Sequence, residues 1–574
     1  MAKADMRRLT RRKFLAETGK AGALAAADGA CVLLRGCTTG KDFDLVITGG
    51  SVYDGAGRAP FRADIAVSEG MIRTIGKVSS SRARTIIQAD GLAVSPGFID
   101  IHEHTEEGLL VNPRAESAVR QGVTTLVSGN CGGSPFPLTE AMAGEKAKAL
   151  KEDYGLELTW KDAAGFFERI GRTGTAVNYC TYVGHGTVRA AVVGYANRAP
   201  SDSEMERMKA AVRESVGQGV IGLSSGLEYS PGSFGSTEEL IELCRVIRPS
   251  GGVYATHMRD EEEGILEAVD EALRIARKAS VRLQISHIKI GYPHNWPKFD
   301  DLLRRLQRAR AEGLDFRCDR YPYIAWATGL DMFFPLWSRE GPTQDFMARL
   351  RDPSLQARLR AEVKKKEDDL GSWDKVLISD VATDKNKPVE GQSVLEASKR
   401  AGEEPYEFMR RLLIEETGRV GMITFAMSED HLRVLLAHPL IGIGSDGAAV
   451  APYGLLSKGK PHPRFYGTFP RVLGKYVREE KITPLAEMIR KMTSMPAAHI
   501  GLGRRGTLRE GLAADIVVFD PEKIIDRATW TSPAQYPVGI SHVLVNGALV
   551  VENGEHTGRL PGRVLRRAAD GTVA

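Results

Sequence analysis

At 574 residues the chain can bury a large core and exceeds the usual size of one simple domain. Its 42% hydrophobic and 26% charged content is that of a soluble globular protein. The net charge of +5, from 78 basic and 73 acidic residues, is a small imbalance, and no basic arm interleaved with aromatics follows the N-terminus, so nucleic-acid binding has little support.

Residues 10–15 read Thr-Arg-Arg-Lys-Phe-Leu, and an Ala/Gly/Leu-rich stretch follows to about Leu34. A basic region ahead of a weakly hydrophobic segment is organised as an export signal, so residues 1–40 are expected to be a leader rather than a domain. Arg11-Arg12 before Phe14-Leu15 has the form of a twin-arginine signal, which predicts a periplasmic or cell-envelope location, although Asp28 interrupts the apolar stretch. Leu34-Arg35-Gly36-Cys37 is loosely a lipoprotein box with Cys37 as the lipidated residue, with an atypical arginine inside it. The six cysteines are scattered without a Cys-x-x-Cys pair, which argues against a disulfide framework or a zinc knuckle.

Between 41 and 94 short runs alternate apolar and polar residues, with Gly49-Gly50, Asp54-Gly55 and Glu69-Gly70 as turns. A similar pattern returns in 501–565, where Asn546-Gly547 marks a hairpin. Neither half has enough strands for a core, so the two ends are expected to form one small β-sandwich together.

From 95 to 500 apolar runs alternate with helical patterns, as a parallel α/β architecture requires. Strands are expected at 97–101, 123–128, 176–183, 219–224, 252–256, 281–286, 314–319 and 440–444. Eight such units predict a (β/α)8 TIM-like barrel with catalytic residues at the carboxyl ends of the strands. The alternative is an open doubly wound sheet, disfavoured because no Gly-x-Gly-x-x-Gly turn follows the first strand. The stretch of about 333–435 breaks the rhythm and reads as an insertion between strands seven and eight that could act as a lid. Within it, Lys364-Lys365-Lys366 reads as a solvated helix face.

The expected strand ends carry the chemistry. His102 and His104 stand two apart after strand one, so they project to one side. Cys131 follows strand two, His257 strand five, His287 strand six and Asp446 strand eight. Any one of these alone reads as a packed or hydrogen-bonded residue, but six metal-competent side chains at one barrel mouth read as a metal site.

These stretches, together with Gly129–Pro135, Gly226–Gly232, Arg320–Tyr323 and His462–Gly474, resemble the amidohydrolase superfamily and, within it, the N-acyl-D-amino-acid deacylase (D-aminoacylase) family. Many amidohydrolases bridge two metals with a carboxylated lysine at the end of strand four, yet no lysine occurs between 219 and 256 here. The resemblance implies that Cys131 bridges instead, with one tight zinc on Cys131, His257 and His287 and a second, weaker position on His102, His104 and the shared Cys131. It also implies Asp446 as the catalytic carboxylate, taking a proton from water and returning it to the leaving nitrogen. Tyr229, Lys289 and Arg464 match carboxylate-binding positions, and Tyr321 or Tyr323 is expected to add a hydroxyl. His185 could orient a ligand from behind. Trp326 stands where relatives tend to carry small hydroxyl residues.

The expected activity is zinc-dependent hydrolysis of N-acyl-D-amino acids, or of peptides with a C-terminal D-residue. The alternatives are a cyclic-amide hydrolase of the dihydropyrimidinase or dihydroorotase type, and an inactive barrel acting as a binding protein.

Overall fold

The computed structural model describes residues 42–574; the leader, with Arg11, Arg12 and Cys37, lies outside the described residues. The barrel strands are Phe98–Asp100, Val123–Ser128, Asn178–Thr181 continued by Val183–Gly184, Gly222–Gly226, Val253–His257, Arg282–Ile285, Phe316–Arg320 and Ile441–Ile443. All pairings among them are parallel. Val123–Ser128, Val-Thr-Thr-Leu-Val-Ser, is buried at every position, as a largely β-branched strand between the packed barrel interior and the outer helices should be. The outer helices carry one apolar stripe. In Ile265–Ala279 the buried residues include Ile265, Ala268, Val269, Ala272 and Ala276, at helical spacing. The helix Asp202–Gly217 begins at a capping box formed by Ser201 and Glu204.

The strands form two arcs that meet within the third, where Tyr182 N–H donates to Ser128 O (3.0 Å) and Ile221 N–H to Thr181 O (2.9 Å). Strand eight meets strand one just beyond the strand ends: Asp446 N–H donates to His102 O (2.7 Å) and His104 N–H to Gly447 O (2.8 Å). The seam of the barrel therefore runs through three of the six metal-competent residues.

The small β module is one continuous nine-stranded sheet wrapped around a core to which both chain ends contribute, including Leu45, Ile65, Ile87, Ile516 and Leu544. Ala93–Pro96 joins the two ends, pairing parallel with Ser51–Val52 and antiparallel with Ile516–Phe519. The fold is thus an α/β barrel with a separate small sheet domain. Beyond that sheet, residues 561–574 run back under the barrel, where the buried Arg567 donates to the carbonyls of Ile221 (3.1 Å), Ile500 (2.8 Å) and Gly571 (2.7 Å).

Between strands seven and eight the chain builds a unit with its own core, including Leu330, Phe333, Trp373, Met409 and Met422. It starts at Ala325 rather than 333, because Ala325–Gly329 pairs antiparallel with Val420–Phe425, which in turn pairs with Val376–Val381. Its sheet ends at Phe425 rather than 435, since Glu429–Ala437 packs as a barrel helix against strand eight.

Candidate metal centre and substrate cavity

Three of the candidate donors occupy left-handed backbone: Cys131 (φ 51°), His287 (φ 33°) and Asp446 (φ 50°). For non-glycine residues this conformation costs about 1–3 kcal/mol each and persists only where the surroundings over-determine it. At Cys131 the determinants are visible. Ser224 Oγ accepts from Gly132 N–H (3.2 Å) and donates to Gly129 O, while Asn130 Nδ2 donates to Val127 O (2.9 Å). Gly226 lies so close that a Cβ there would stand 2.1 Å from Cys131 O. The end of strand four, without the lysine that many amidohydrolases carry there, thus carries a serine and a glycine that brace the cysteine loop.

The donor atoms converge. Cys131 Sγ lies 3.4 Å from His102 Nε2 and 3.6 Å from His287 Nε2, and His102 Nε2 lies 3.5 Å from Asp446 Oδ1. Tetrahedral zinc with N, O and S bonds of about 2.0–2.3 Å sets its ligands about 3.3–3.8 Å apart, which these separations match. His104 Nε2 joins from the other side of Asp446 Oδ1 at 3.1 Å. His257 Nδ1 is buried without a partner, a donor atom left over at the same place. The residues present fit a thiolate-centred zinc site.

Two groups of donors overlap at His287: His102, Cys131, His287 and Asp446 form one, and His257, Glu261 and His287 the other, with the Nε2 of His257 facing Glu228 (2.8 Å) and its Nδ1 free. His102 is drawn in because its Nδ1 faces buried Asp319 (3.2 Å), which aims Nε2 at Cys131.

Electrostatics favour a thiolate. Burial opposes ionisation of Cys131, but the charge and hydrogen bonds of His102, then His104 and His257, outweigh it and hold the thiol well below its ordinary range. The imidazoles respond in kind. Burial would lower His257, yet Glu261, Cys131 and Glu228 push it up to about 10. Burial likewise opposes the Asp446 charge, and Arg464 above all, with His287 and His104, holds that carboxyl well below the usual range. A divalent cation can take the lone pairs that protons hold in such a cluster.

A second layer of carboxylates fixes the donors, and the sequence reading passed over it. Asp319 accepts from His287 N–H (2.8 Å) and Gln284 Nε2 (2.7 Å) besides facing His102. Asp100 accepts from Ser445 N–H (2.9 Å) and His102 N–H (3.3 Å) across the barrel seam. Glu261 faces His287 Nδ1 at 3.0 Å. Asp319 at a strand end, and Glu228 inside a motif already singled out, were the available signals; Glu261 had none beyond its distance of one helical turn from His257.

The site opens into a cavity of about 280 Å³. Its charged end holds Asp446, Arg464 and Lys289 beside the histidines and Cys131, and its far end is apolar, with Tyr292, Trp326, Met332, Phe333 and Met422. Lys289 pairs with Glu261, and Arg464 Nη1 lies 2.9 Å from Asp446 Oδ2. Tyr229 lines the cavity, its hydroxyl 3.5 Å from Thr328 Oγ1. Of the two tyrosine candidates, Tyr323 is turned away, its hydroxyl facing Pro463 O and Asp526 (3.4 Å each). Tyr321 lies under the Arg464 guanidinium (4.8 Å to the ring centre), with its buried hydroxyl unpartnered. His185 stands behind the wall, bound to Glu239 (2.7 Å) and away from the donors. Lys366 is no solvated residue: it reaches from the insertion to Glu262 at the cavity edge, while Lys364 and Lys365 stay exposed.

Gly226→Ala should displace Cys131 and lower bound zinc well below that of the wild type with the circular-dichroism spectrum retained. Gly133→Ala, where an added Cβ meets nothing closer than 3.9 Å, should keep the metal. Equal zinc content in the two variants would contradict the bracing role of strand four.

The amidohydrolase family model matches residues 385–551. A D-aminoacylase from Alcaligenes xylosoxydans xylosoxydans is 36% identical, covering 92% of this chain and 99% of its own. An N-acyl-D-aspartate deacylase from the same organism is 34% identical, over 91% and 95%. The crystal structure of N-acyl-D-glutamate deacylase from Bordetella bronchiseptica, complexed with zinc and a phosphonate mimic of the tetrahedral intermediate, superposes with a TM-score of 0.77 at 33% identity, covering 92% and 100%. With that identity over almost the whole length, and with a cysteine in place of the strand-four lysine, this chain belongs to the amidohydrolase superfamily and, within it, to the N-acyl-D-amino-acid deacylase (D-aminoacylase) family.

Proposed function

We propose that the protein is a zinc-dependent amidohydrolase that cleaves N-acyl-D-amino acids to a carboxylate and a free D-amino acid. The observation that carries this is one cavity in which a thiolate-centred donor set adjoins two cations suited to a substrate carboxylate, Lys289 and Arg464. His102, Cys131, His287 and Asp446, with His104 and His257 alongside, would hold the metal. Bound there, zinc supplies Lewis acidity that activates water at neutral pH and polarises the acyl carbonyl.

The chain's own residues do the rest. Asp446, kept ionised by Arg464, accepts a proton from the attacking water as the new C–O bond forms. It then returns that proton to the amide nitrogen as the C–N bond breaks. Lys289 and Arg464 grip the α-carboxylate, the arginine with a fork suited to two oxygens. Tyr229 offers a hydroxyl at the wall of the same space, and the buried Tyr321 ring backs the Arg464 guanidinium. Preference for the D-enantiomer rests on the activities named for the relatives. An inactive barrel would be expected to have lost donors, whereas all six are gathered here.

N-acetyl-D-amino acids should be hydrolysed by the zinc-loaded enzyme and their L-enantiomers left intact, with Asp446→Ala lowering kcat by about 10²–10⁴-fold. Equal turnover of both enantiomers, or an unaffected variant, would contradict this reading.

Arg11-Arg12 and the Ala-rich stretch behind it support a further proposal, export by a twin-arginine route to the periplasm or envelope, with Cys37 as a lipid anchor. Residues 1–40 fused to a reporter should carry it out of the cytoplasm, and Arg11→Lys with Arg12→Lys should hold it back. A wild-type fusion retained in the cytoplasm would refute export.

A further inference from the structure

The relatives leave the substrate's side chain open, because the aminoacylase, D-aspartate and D-glutamate enzymes resemble this chain equally, at 36%, 34% and 33% identity. The cavity does discriminate. Lys289 and Arg464 are the only lysine and arginine that line it among the described residues, and each already faces a carboxylate, Glu261 and Asp446 respectively. If both serve the α-carboxylate, no lining lysine or arginine remains for a second acid on the substrate.

The wall that the substrate side chain meets can be identified. Gly291 and Tyr292 of the apolar end lie two and three residues after Lys289, and Arg464 Nη2 reaches Ala327 O of the same wall (3.5 Å). The substituent on the carbon that bears the carboxylate therefore faces Tyr292 and Trp326. At their foot stands Glu262. A Cβ on Gly291 would lie 3.3 Å from Glu262 Cγ and 3.4 Å from Trp326 Cη2, so carboxylate and indole close this end together. Glu262 is held by Lys366, whose ammonium sits 5.6 Å from the Tyr292 ring centre and is not itself part of the lining. The end that receives the side chain is thus apolar on its walls and anionic at its foot.

We propose that this site accepts N-acyl-D-amino acids with uncharged apolar side chains and rejects acidic ones, with Glu262, anchored by Lys366 of the insertion, as the residue that sets the rejection. The inference rests on the deacylase reading above and names its substrate class. An acidic side chain would enter apolar surface where the nearby cation, Lys366, is already paired with Glu262, and would face a like charge, which is costly on both counts. The insertion is then the element that sets specificity. It supplies Trp326, Met332, Phe333 and Met422 to the wall and Lys366 to hold the acid.

The test compares kcat/KM for N-acetyl-D-leucine and N-acetyl-D-methionine with that for N-acetyl-D-glutamate and N-acetyl-D-aspartate, using the zinc-loaded full chain at pH 8. That pH lies above the value of about 7 to which burial, only partly offset by Lys366, pushes the Glu262 carboxyl. The neutral substrates should be favoured by about 100-fold or more, mostly through KM. Glu262→Gln should shrink that ratio about ten-fold, and Lys366→Met, which removes the cation that keeps the buried acid ionised, should shrink it as well. Unchanged kcat/KM for the neutral substrates in both variants separates charge selection from general damage to the fold. Acidic substrates turned over as well as neutral ones, or a ratio that neither variant moves, would overturn the proposal. Calorimetric binding of the same four compounds to zinc-loaded Asp446→Asn ranks them without turnover. If no compound is hydrolysed, the deacylase reading fails, and the binding order still supports or overturns the proposed selection.

Discussion

The charge of the Cys131 sulfur organises this molecule. A thiolate buried at a barrel mouth is unfavourable unless cationic or protonated partners surround it. His102, His104, His257 and His287 surround it from strands one, five and six; His102, His257 and His287 have carboxylates behind them, and His104 faces Asp446. The layers alternate in sign outward from the sulfur: imidazoles, then Asp319, Glu228 and Glu261, then Lys289 against Glu261. Removing one layer would leave the next as an unpaired buried charge, so the site is stable only as a set.

The same residues also close the barrel. Strands one and eight meet not along their length but through the backbone of His102, His104, Asp446 and Gly447, with Asp100 bridging to Ser445. Catalytic geometry and barrel closure are therefore one feature. This accounts for the left-handed backbone at Asp446, which costs energy locally and is held by contacts on both sides of the seam. The glycines that allow close approach, Gly226 beside Cys131 above all, do for the cysteine loop what the seam does for the aspartate.

How much could be read without the structure follows from the same physics. The strands were legible because short apolar runs such as Val123–Ser128 alternate with helical patterns, and the donors because they stand at or within a few residues of the ends of such runs. The carboxylates behind them were not. Asp319, Glu228 and Glu261 differ in no local way from surface acids, and only the fold shows what they face. Lys366 was hidden for the same reason, in a run of three lysines of which two are solvated. The insertion began earlier than expected because Ala325–Gly329 is too short and mixed to read as a strand, and its partner, Val420–Phe425, lies about a hundred residues on. Tyr321 and Tyr323, two apart, were indistinguishable until the direction of each hydroxyl was known.

Substrate recognition then divides between two parts of the chain. The barrel provides the donors and the two cations, and the insertion provides the surface that reads the side chain, so that chemistry and selectivity rest on different elements. The central claim is that a cysteine sulfur lies within the metal's coordination sphere. X-ray absorption at the zinc edge, on protein loaded with one equivalent of zinc, tests it most directly. The account predicts one sulfur neighbour at about 2.3 Å among nitrogen and oxygen at about 2.0–2.1 Å, with the sulfur lost in Cys131→Ser. A wild-type spectrum with nitrogen and oxygen neighbours alone would contradict it.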